Sequence, residues 1–229
     1  MEFTKKQPAL LYLDKNGFYF FENGLPTVIS LAFLETSVKD MDVINGASLM
    51  AQVKSFIEQY RITPASITIV LSPNITFEKE IAGLPADEQE DAVKKFAETI
   101  PFDSIMSKNY PIEKGVKVIG YNEDLYQELK VSFEKNGFGI DMVIPYQLLG
   151  GDQQLIQNLT TDNAAQFLKK AGGYRQSSML AFEKDKQPQS QNPIKKGVPT
   201  KKSNVRLYAM IGVFAVLFVI LGFMLINMK

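Results

Sequence analysis

The sequence predicts an α/β protein in which a mixed β-sheet is covered by helices. Three observations predict this fold class. Short apolar stretches near the start of the chain are separated by Asn-Gly pairs, which is typical of β-hairpins. The stretch SITIVL at residues 66–71 carries no charge and is rich in β-branched residues, as in a strand buried on both faces. Amphipathic segments with helical spacing alternate with the later strands, which favours crossover connections.

The N-terminal segment predicts three short strands, at residues 10–13, 18–21 and 27–32. The Asn-Gly pairs at 16–17 and 23–24 lie between them, and such pairs favour tight two-residue turns because both residues tolerate positive φ. The three strands are therefore expected to form an antiparallel meander.

The rest of the body predicts alternating helices and strands. Apolar residues keep helical spacing over residues 47–60, and Asn45 is a suitable N-cap for that helix. Asn122 and Gly137 are suitable start and stop residues for a later helix. The full predicted order is β-β-β-α-β-β-α-β-α-β, with strands at 66–71, 75–81, 116–121 and 139–144, a helix between Pro85 and Pro101, and short helices at 153–159 and 162–171.

Composition excludes much enzyme chemistry. The 229 residues contain no histidine, cysteine or tryptophan, so imidazole bases, thiolate nucleophiles and the usual zinc ligands are missing. The net charge is zero, but it is unevenly distributed. Residues 1–182 carry 17 basic and 23 acidic groups, whereas residues 183–229 carry eight basic and two acidic groups. An anionic body argues against nucleic acid as its partner. No metal site or other cofactor is expected.

The C-terminal part predicts a membrane anchor. Residues 207–226 contain no charge and are long enough, at ~1.5 Å per residue, to cross a ~30 Å hydrocarbon core as a helix. We therefore predict a transmembrane helix at 207–228, preceded by a disordered tether rich in Pro, Gln and Lys at 183–206. The positive-inside rule places the N-terminal domain in the cytoplasm. The basic side chains expected to face the membrane are those of Lys195, Lys196, Lys201, Lys202 and Arg206.

Several short motifs in a fixed order resemble the PilM-like type IV pilus assembly proteins and the cytoplasmic domain of GspL-like type II secretion proteins. The motifs lie in ITIVLSPNITFEKEIAGLPADEQEDAVKKFAETIPFDS and in NYPIEKGVKVIGYNEDLYQELKVSFEKNGF. The resemblance implies a half-size actin-like, or ribonuclease H-like, first lobe over residues 1–150. It implies an inserted subdomain at about 75–121, and a short helical extension follows at 151–182.

The hairpin LYLDKNGFYFF at residues 11–21 is where an actin-like ATPase would hold a phosphate. Here Asp14 is followed by Lys15, Asn16 and Gly17, without the hydroxyl-bearing residues that such a loop uses. The second lobe of ATP-binding relatives also has no counterpart of similar size, because about 32 residues separate Gly151 from the tether. We therefore expect a hairpin without a phosphate site, and no ATPase activity.

The predicted function is that of a tail-anchored scaffold or adaptor on the cytoplasmic face of the bacterial inner membrane. The resemblance implies a groove beside the inserted subdomain that receives a peptide from a membrane partner, and Phe102, Ile105, Met106 and Tyr110 are the candidate partner-binding residues. These four side chains could instead cover the core. Expected partners are the membrane, inner-membrane pilus or secretion assembly proteins, and a homo-oligomer. The alternatives are an ATP-binding actin-like ATPase completed by a second subunit and an unrelated regulatory membrane-tethered module.

Overall fold

The computed structural model describes residues 6–180 and the two-residue strand 194–195. Within this part of the chain, an additional 3₁₀ segment, Ala171–Ser177, follows the last α-helix. The strands and helices, in chain order, are β1 (Pro8–Asp14), β2 (Gly17–Glu22), β3 (Ile29–Ala32), β4 (Val38–Lys39), β5 (Asp42–Val43), α1 (Gly46–Tyr60), β6 (Ser66–Leu71), β7 (Thr76–Ala82), α2 (Ala86–Thr99), β8 (Ser104–Ile112), β9 (Gly115–Asn122), α3 (Glu123–Glu134), β10 (Gly139–Pro145), α4 (Gln153–Gln157), α5 (Thr161–Lys170) and β11 (Ile194–Lys195).

The main sheet has five strands in the order β10-β6-β1-β2-β3. β2 pairs antiparallel with both β1 and β3, which is the predicted meander. β1 pairs parallel with β6, and β6 pairs parallel with β10. The predicted mixed sheet is confirmed, and an antiparallel meander continued by parallel strands fits the actin-like lobe that the sequence resemblance implies.

Helices cover both faces of the main sheet, as the charge-free sequence of β6 requires. On one face Leu11 and Phe20 pack with buried side chains of α1 and α3. On the other face Leu10 and Val70 pack with buried side chains of α4 and α5, including Phe167. Because neighbouring residues of a strand point to opposite faces, the uninterrupted apolar runs of β1 and β6 supply both cores.

Both predicted asparagine caps are confirmed. The Asn45 side chain accepts a hydrogen bond from the backbone N–H of Ser48, which satisfies an otherwise unpaired donor in the first turn of α1. The Asn122 side chain accepts from the backbone N–H groups of Asp124 and Leu125 at the start of α3. Its amide nitrogen also donates to the Met41 carbonyl at 2.9 Å, so this cap fixes α3 against the β4–β5 hairpin.

A second sheet lies in the range predicted for the inserted subdomain. β7 and β8 pair antiparallel with β9, which lies between them, and α2 connects β7 to β8. This sheet has an apolar core of its own, formed by side chains from β7, α2, β8 and β9 and from the segment that joins α2 to β8. The main sheet is thus continuous in space although its last two strands, β6 and β10, are separated by the insertion in sequence.

Three local features differ from the sequence predictions. The pair Asn23-Gly24 forms a turn, closed by a hydrogen bond from the Leu25 N–H to the Glu22 carbonyl at 3.0 Å, but this turn does not join β2 directly to β3, which begins only at Ile29. The stretch 102–111, left unassigned from the sequence, forms most of β8. The short hairpin of β4 and β5 was not predicted at all. Its turn residues Asp40 and Met41 have φ of 49° and 72°, a conformation that a sequence containing no glycine there does not suggest.

No helix among the described residues is long and apolar enough to cross a membrane. The predicted transmembrane helix at 207–228 lies outside the described residues, as does the predicted tether except for β11. Within the range predicted for the tether, the structure describes the two-residue strand Ile194–Lys195.

Candidate binding site

The carboxyl ends of β1 and β6 bring polar side chains together beside the predicted hairpin of residues 11–21. Since parallel strands end at the same edge of a sheet, Asp14 at the end of β1 lies beside the residues that follow β6. Asp14 Oδ1 accepts hydrogen bonds from Ser72 Oγ at 2.6 Å and from Asn74 Nδ2 at 3.0 Å. The aspartate of the predicted hairpin is therefore engaged by side chains of the same chain.

The hairpin turn is closed by further contacts within the chain. Asp14 and Gly17 are paired residues, so Lys15 and Asn16 form the two-residue turn. Lys15 Nζ lies 3.2 Å from a carboxylate oxygen of Asp40, and the Asn16 carbonyl accepts from the backbone N–H of Phe33 at 2.9 Å. The predicted hairpin is confirmed, but its two-residue turn is Lys15-Asn16, one residue earlier than the predicted Asn16-Gly17, because Gly17 is already the first residue of β2. Lys15 contacts the β4–β5 hairpin, and Asn16 contacts the residue after β3.

The environment of Asp14 favours its ionised form. Partial burial alone raises the pKa of this carboxyl, but the hydrogen bonds from Ser72 and Asn74 outweigh burial and leave the pKa lowered. Burial also raises the pKa of the adjacent Tyr12 to about 12, with the Asp14 charge as a further cause. At neutral pH the site therefore holds one carboxylate beside a neutral phenol.

The lowered pKa of Asp14 predicts a pH-dependent contribution to stability. The contribution is present above the unfolded-state pKa of about 4 and is lost as the pH falls through the lower folded-state pKa. Asp14→Asn is expected to lose less stability than the wild type between about pH 5 and pH 2. Thermal unfolding across that range measures the difference, with Asp87→Asn on the first turn of α2 as the control. Equal acid profiles for wild type and Asp14→Asn would contradict the assignment.

The four candidate partner-binding residues lie in β8 or just before it and are largely interior. The exposed fractions of Phe102, Ile105 and Tyr110 are 5%, 0% and 9%. Phe102 and Ile105 belong to the core of the second sheet, whereas Met106 packs against the core of the main sheet and accepts a hydrogen bond from the Tyr121 hydroxyl. The burial of these side chains shows that they pack within the protein. Their direct contact with a partner stays a prediction.

A short segment, Gln176–Leu180, lies between β8 and β10, and we call it the strap. Lys108 Nζ donates to the carbonyl oxygens of Ser178 at 2.7 Å and of Gln176 at 3.2 Å. The Tyr110 hydroxyl donates to the Ser177 carbonyl at 3.0 Å. Among the four candidate partner-binding residues, Tyr110 is thus the one whose side chain hydrogen-bonds to the strap.

The strap also meets the main sheet. The Val143 N–H of β10 donates to Ser178 Oγ at 3.1 Å, and the Met179 N–H donates to the Val143 carbonyl at 2.7 Å. Ser178 is fully buried and Met179 is 5% exposed. Sequence reasoning missed this segment, because its contacts are made mainly by backbone atoms and leave no periodic pattern of side chains.

The basic residues predicted to face the membrane are not tested by these contacts. Lys196, Lys201, Lys202 and Arg206 lie outside the described residues, and only the backbone strand is described at Lys195. Among the residues that the structure describes, no group of three acidic side chains is placed to hold a metal ion.

By its sheet order and its helices on both faces, the described part of the chain is an α/β lobe with a mixed sheet. No protein-family model and no curated protein matches the chain. Among solved structures it is similar to the PilM–PilN type IV pilus biogenesis complex, with 16% identity over 66% of this chain and 52% of that chain and a TM-score of 0.44.

Two further solved structures are similar to the chain. One is the cytoplasmic domain of EpsL, an inner membrane component of the type II secretion system of Vibrio cholerae, with 12% identity, 61% and 57% of the two chains covered, and a TM-score of 0.37. The other is a Bacteroides thetaiotaomicron protein with an actin-like ATPase fold and unknown function, with 12% identity, 69% and 59% covered, and a TM-score of 0.35. The chain spans about half to three-fifths of the length of these structures. The three structures belong to the protein classes that the sequence motifs resemble.

Proposed function

We propose that the protein is a non-catalytic adaptor that binds other components of a type IV pilus or type II secretion-like assembly machine. Its body would be held at the cytoplasmic face of the inner membrane by the predicted span at 207–228. The mechanism would be positional, because a flexible link to the membrane raises the effective concentration of the body toward membrane partners, to the millimolar range for short links.

The observation that carries the proposal is the state of the Asp14 carboxylate. In a nucleotide site this group would be available for the phosphates and their cation, but here Ser72 and Asn74 already donate to it. Lys15, the turn residue that could approach a phosphate, is paired with Asp40. A nucleotide would have to displace these contacts, which supports a binding module over an ATPase.

The test is thermal unfolding of the full chain in detergent with and without Mg-ATP. The proposal expects no change in Tm up to millimolar nucleotide. A ligand at ~100 times its Kd would add ~2.7 kcal/mol to the free energy of unfolding, which is a shift of several degrees for a domain of this size. Mg-ADP and magnesium alone are the matched controls.

A clear, nucleotide-specific rise in Tm would overturn the non-catalytic proposal. Co-purification tests the second part of the proposal, the role in an assembly machine. Pilus or secretion assembly proteins among the captured partners would support that role. If the captured proteins belonged to unrelated processes, the regulatory-module alternative would replace it.

One observation favours the second candidate, a nucleotide-binding lobe completed by another subunit. Gln147 follows β10 at the same sheet edge, and its amide nitrogen donates to Thr76 Oγ1 at 2.7 Å. Its buried amide oxygen has no hydrogen-bond partner within the described part of the chain. A buried acceptor without a donor costs roughly 1–3 kcal/mol, so a donor group supplied from elsewhere would be stabilising there.

A further inference from the structure

A cleft of about 860 Å³ opens at the amino ends of the parallel strands of the main sheet. Its floor is part of the sheet face that packs against α4 and α5. One wall is formed by Leu168 of α5 and by Ala171 and Gly172 of the 3₁₀ segment that follows it. Small-molecule sites in proteins measure roughly 300–1,000 Å³. The cleft therefore has the size of a small-molecule site.

The floor of the cleft combines hydroxyl groups with apolar surface. Ser66 and Thr68 of β6 line the cleft and lie on the same sheet face as Val70, because side chains two residues apart in a strand share a face. Thr68 is 4% exposed and lies opposite Leu10 of β1 and Met142 of β10. A few polar groups among apolar ones are what orients a bound small molecule.

The charged side chains that line the cleft are those of Lys6, Arg175 and Asp141, which gives the lining a net charge of +1. Arg175 lies 3.0 Å from a carboxylate oxygen of Asp141, and Lys6 Nζ donates to the Gly137 carbonyl at 2.6 Å. This positive balance is local, because residues 1–182 as a whole carry 17 basic and 23 acidic groups. The cleft is thus complementary in charge to an anion.

We propose that this cleft binds a small organic anion with an apolar body, such as an aryl or acyl carboxylate or sulfonate. The anionic group lies at the rim beside Lys6 and Arg175. The apolar body packs against Met142 and Leu168, which are already buried on the adjoining part of the sheet face. Thr68 provides a hydroxyl for a polar atom of the ligand at the floor.

The first test asks which chemical class binds. Isothermal titration calorimetry of the full chain in detergent uses naphthalenesulfonate as the probe, with a titration into detergent alone subtracted. Naphthalenemethanol keeps the rings without the charge, and inorganic sulfate keeps a charge without the rings. Naphthalenesulfonate is expected to bind about ten-fold more tightly than either control. Equal binding of the neutral probe, or no binding of naphthalenesulfonate up to millimolar concentration, overturns the proposal.

The second test asks whether the probe lies in the cleft. A Cβ added at Gly172 meets no atom within 4 Å, and the backbone there is outside the left-handed region, so Gly172→Phe adds a ring at the cleft wall without a clash. This variant is expected to bind naphthalenesulfonate about ten-fold more weakly than wild type.

Gly173→Phe is the matched control for Gly172→Phe. A Cβ at Gly173 is equally free of contacts, but this residue is not part of the cleft lining. The control is expected to bind the probe as the wild type does, and equal binding by the two variants overturns the location. If Gly172→Phe is poorly folded, Ser66→Leu narrows the cleft from its floor instead, and full binding by that variant also overturns the location.

The third test asks whether the rim holds the anionic group. Lys6→Gln removes a positive charge and is expected to weaken binding of naphthalenesulfonate about three-fold, whereas Asp141→Asn removes the negative charge and is expected to strengthen it by a similar factor. Effects of opposite sign would not arise from a general loss of stability. Effects of the same sign overturn the role of the rim.

The proposal goes beyond the adaptor role and can fail separately from it. The cleft and Asp14 lie at opposite ends of β1, whose seven residues span roughly 20 Å. Because ATP is itself an organic anion, Gly172→Phe also separates the two sites. A rise in Tm with Mg-ATP that persists in this variant belongs to the Asp14 edge and overturns the non-catalytic proposal alone, whereas a rise that disappears belongs to the cleft.

Discussion

Replacing Phe133 by alanine is expected to lower the free energy of unfolding by about 3–5 kcal/mol. Phe133 on α3 is fully buried and its ring lies 5.8 Å from Phe18, 6.3 Å from Phe20 and 5.5 Å from Phe138, measured between ring centroids. Truncation removes the apolar transfer energy and leaves a cavity lined by three other rings. Two of these rings are fixed on β2 and the third directly precedes β10, so they cannot close the cavity. Thermal or denaturant unfolding measures the loss, which corresponds to a fall in Tm of roughly 6–20 °C.

The same helix supplies the control for Phe133. Val131 lies two residues earlier on α3 and is 37% exposed, so Val131→Ala changes a residue of the same helix without creating a buried cavity. It is expected to change stability by less than about 1 kcal/mol. If the Phe133→Ala and Val131→Ala variants were equally destabilised, packing of the Phe133 ring against the three neighbouring rings would not contribute to stability as expected.

The core around Phe133 could be predicted because its elements carry local signals. Leu125, Leu129 and Phe133 recur at helical spacing, Asn122 provides a cap and Gly137 provides an end, so the α3 sequence alone specifies an amphipathic helix. The uncharged run of β6 likewise predicts a strand with both faces covered. In these segments the local preference and the final packing agree.

β8 could not be predicted because its conformation depends on pairing with β9. Its residues 104–112 include Lys108, Asn109 and Pro111 and show no regular alternation. The antiparallel register with β9, from Ile105 opposite Asn122 to Ile112 opposite Gly115, is what orders them. Non-local pairing of this kind leaves a weaker signal in one strand's sequence than a helical repeat leaves.

The candidate sites were only partly predictable for the same reason. The hairpin at Asp14 follows from its turn sequence, but the partners of its carboxylate lie 58 and 60 residues further along the chain. The strap contacts residues 35 to 70 positions away mainly through its own backbone atoms, and such contacts set no requirement on residue type at most strap positions. Sequence could place Tyr110 near a binding surface but could not show what its hydroxyl meets.

Gly17→Ala is expected to destabilise the main sheet by about 3 kcal/mol or more, because it combines backbone strain with a steric clash. Gly17 has φ of 154°, which side chains rarely allow, and a Cβ there would lie 2.1 Å from the Leu31 carbonyl oxygen. That oxygen belongs to β3, which is paired to β2 with Gly17 opposite Ala32. Relief of the clash would require β2 and β3 to separate at the hairpin end. Denaturant unfolding measures the loss of stability, which should lower the denaturant concentration at the unfolding midpoint.

Gly24→Ala separates the effect of an added methyl group from the effect of its position. Gly24 lies in the loop between β2 and β3, and the nearest atom to a Cβ built there is a Glu22 carboxylate oxygen at 3.8 Å, an ordinary contact. The variant is expected to match the wild type within about 0.5 kcal/mol. Near-neutral behaviour of Gly17→Ala would mean that the strands can separate at this end without loss. The Asp14 hairpin would then be a mobile loop able to rearrange around a phosphate, and the argument that its contacts exclude a nucleotide would fail with it.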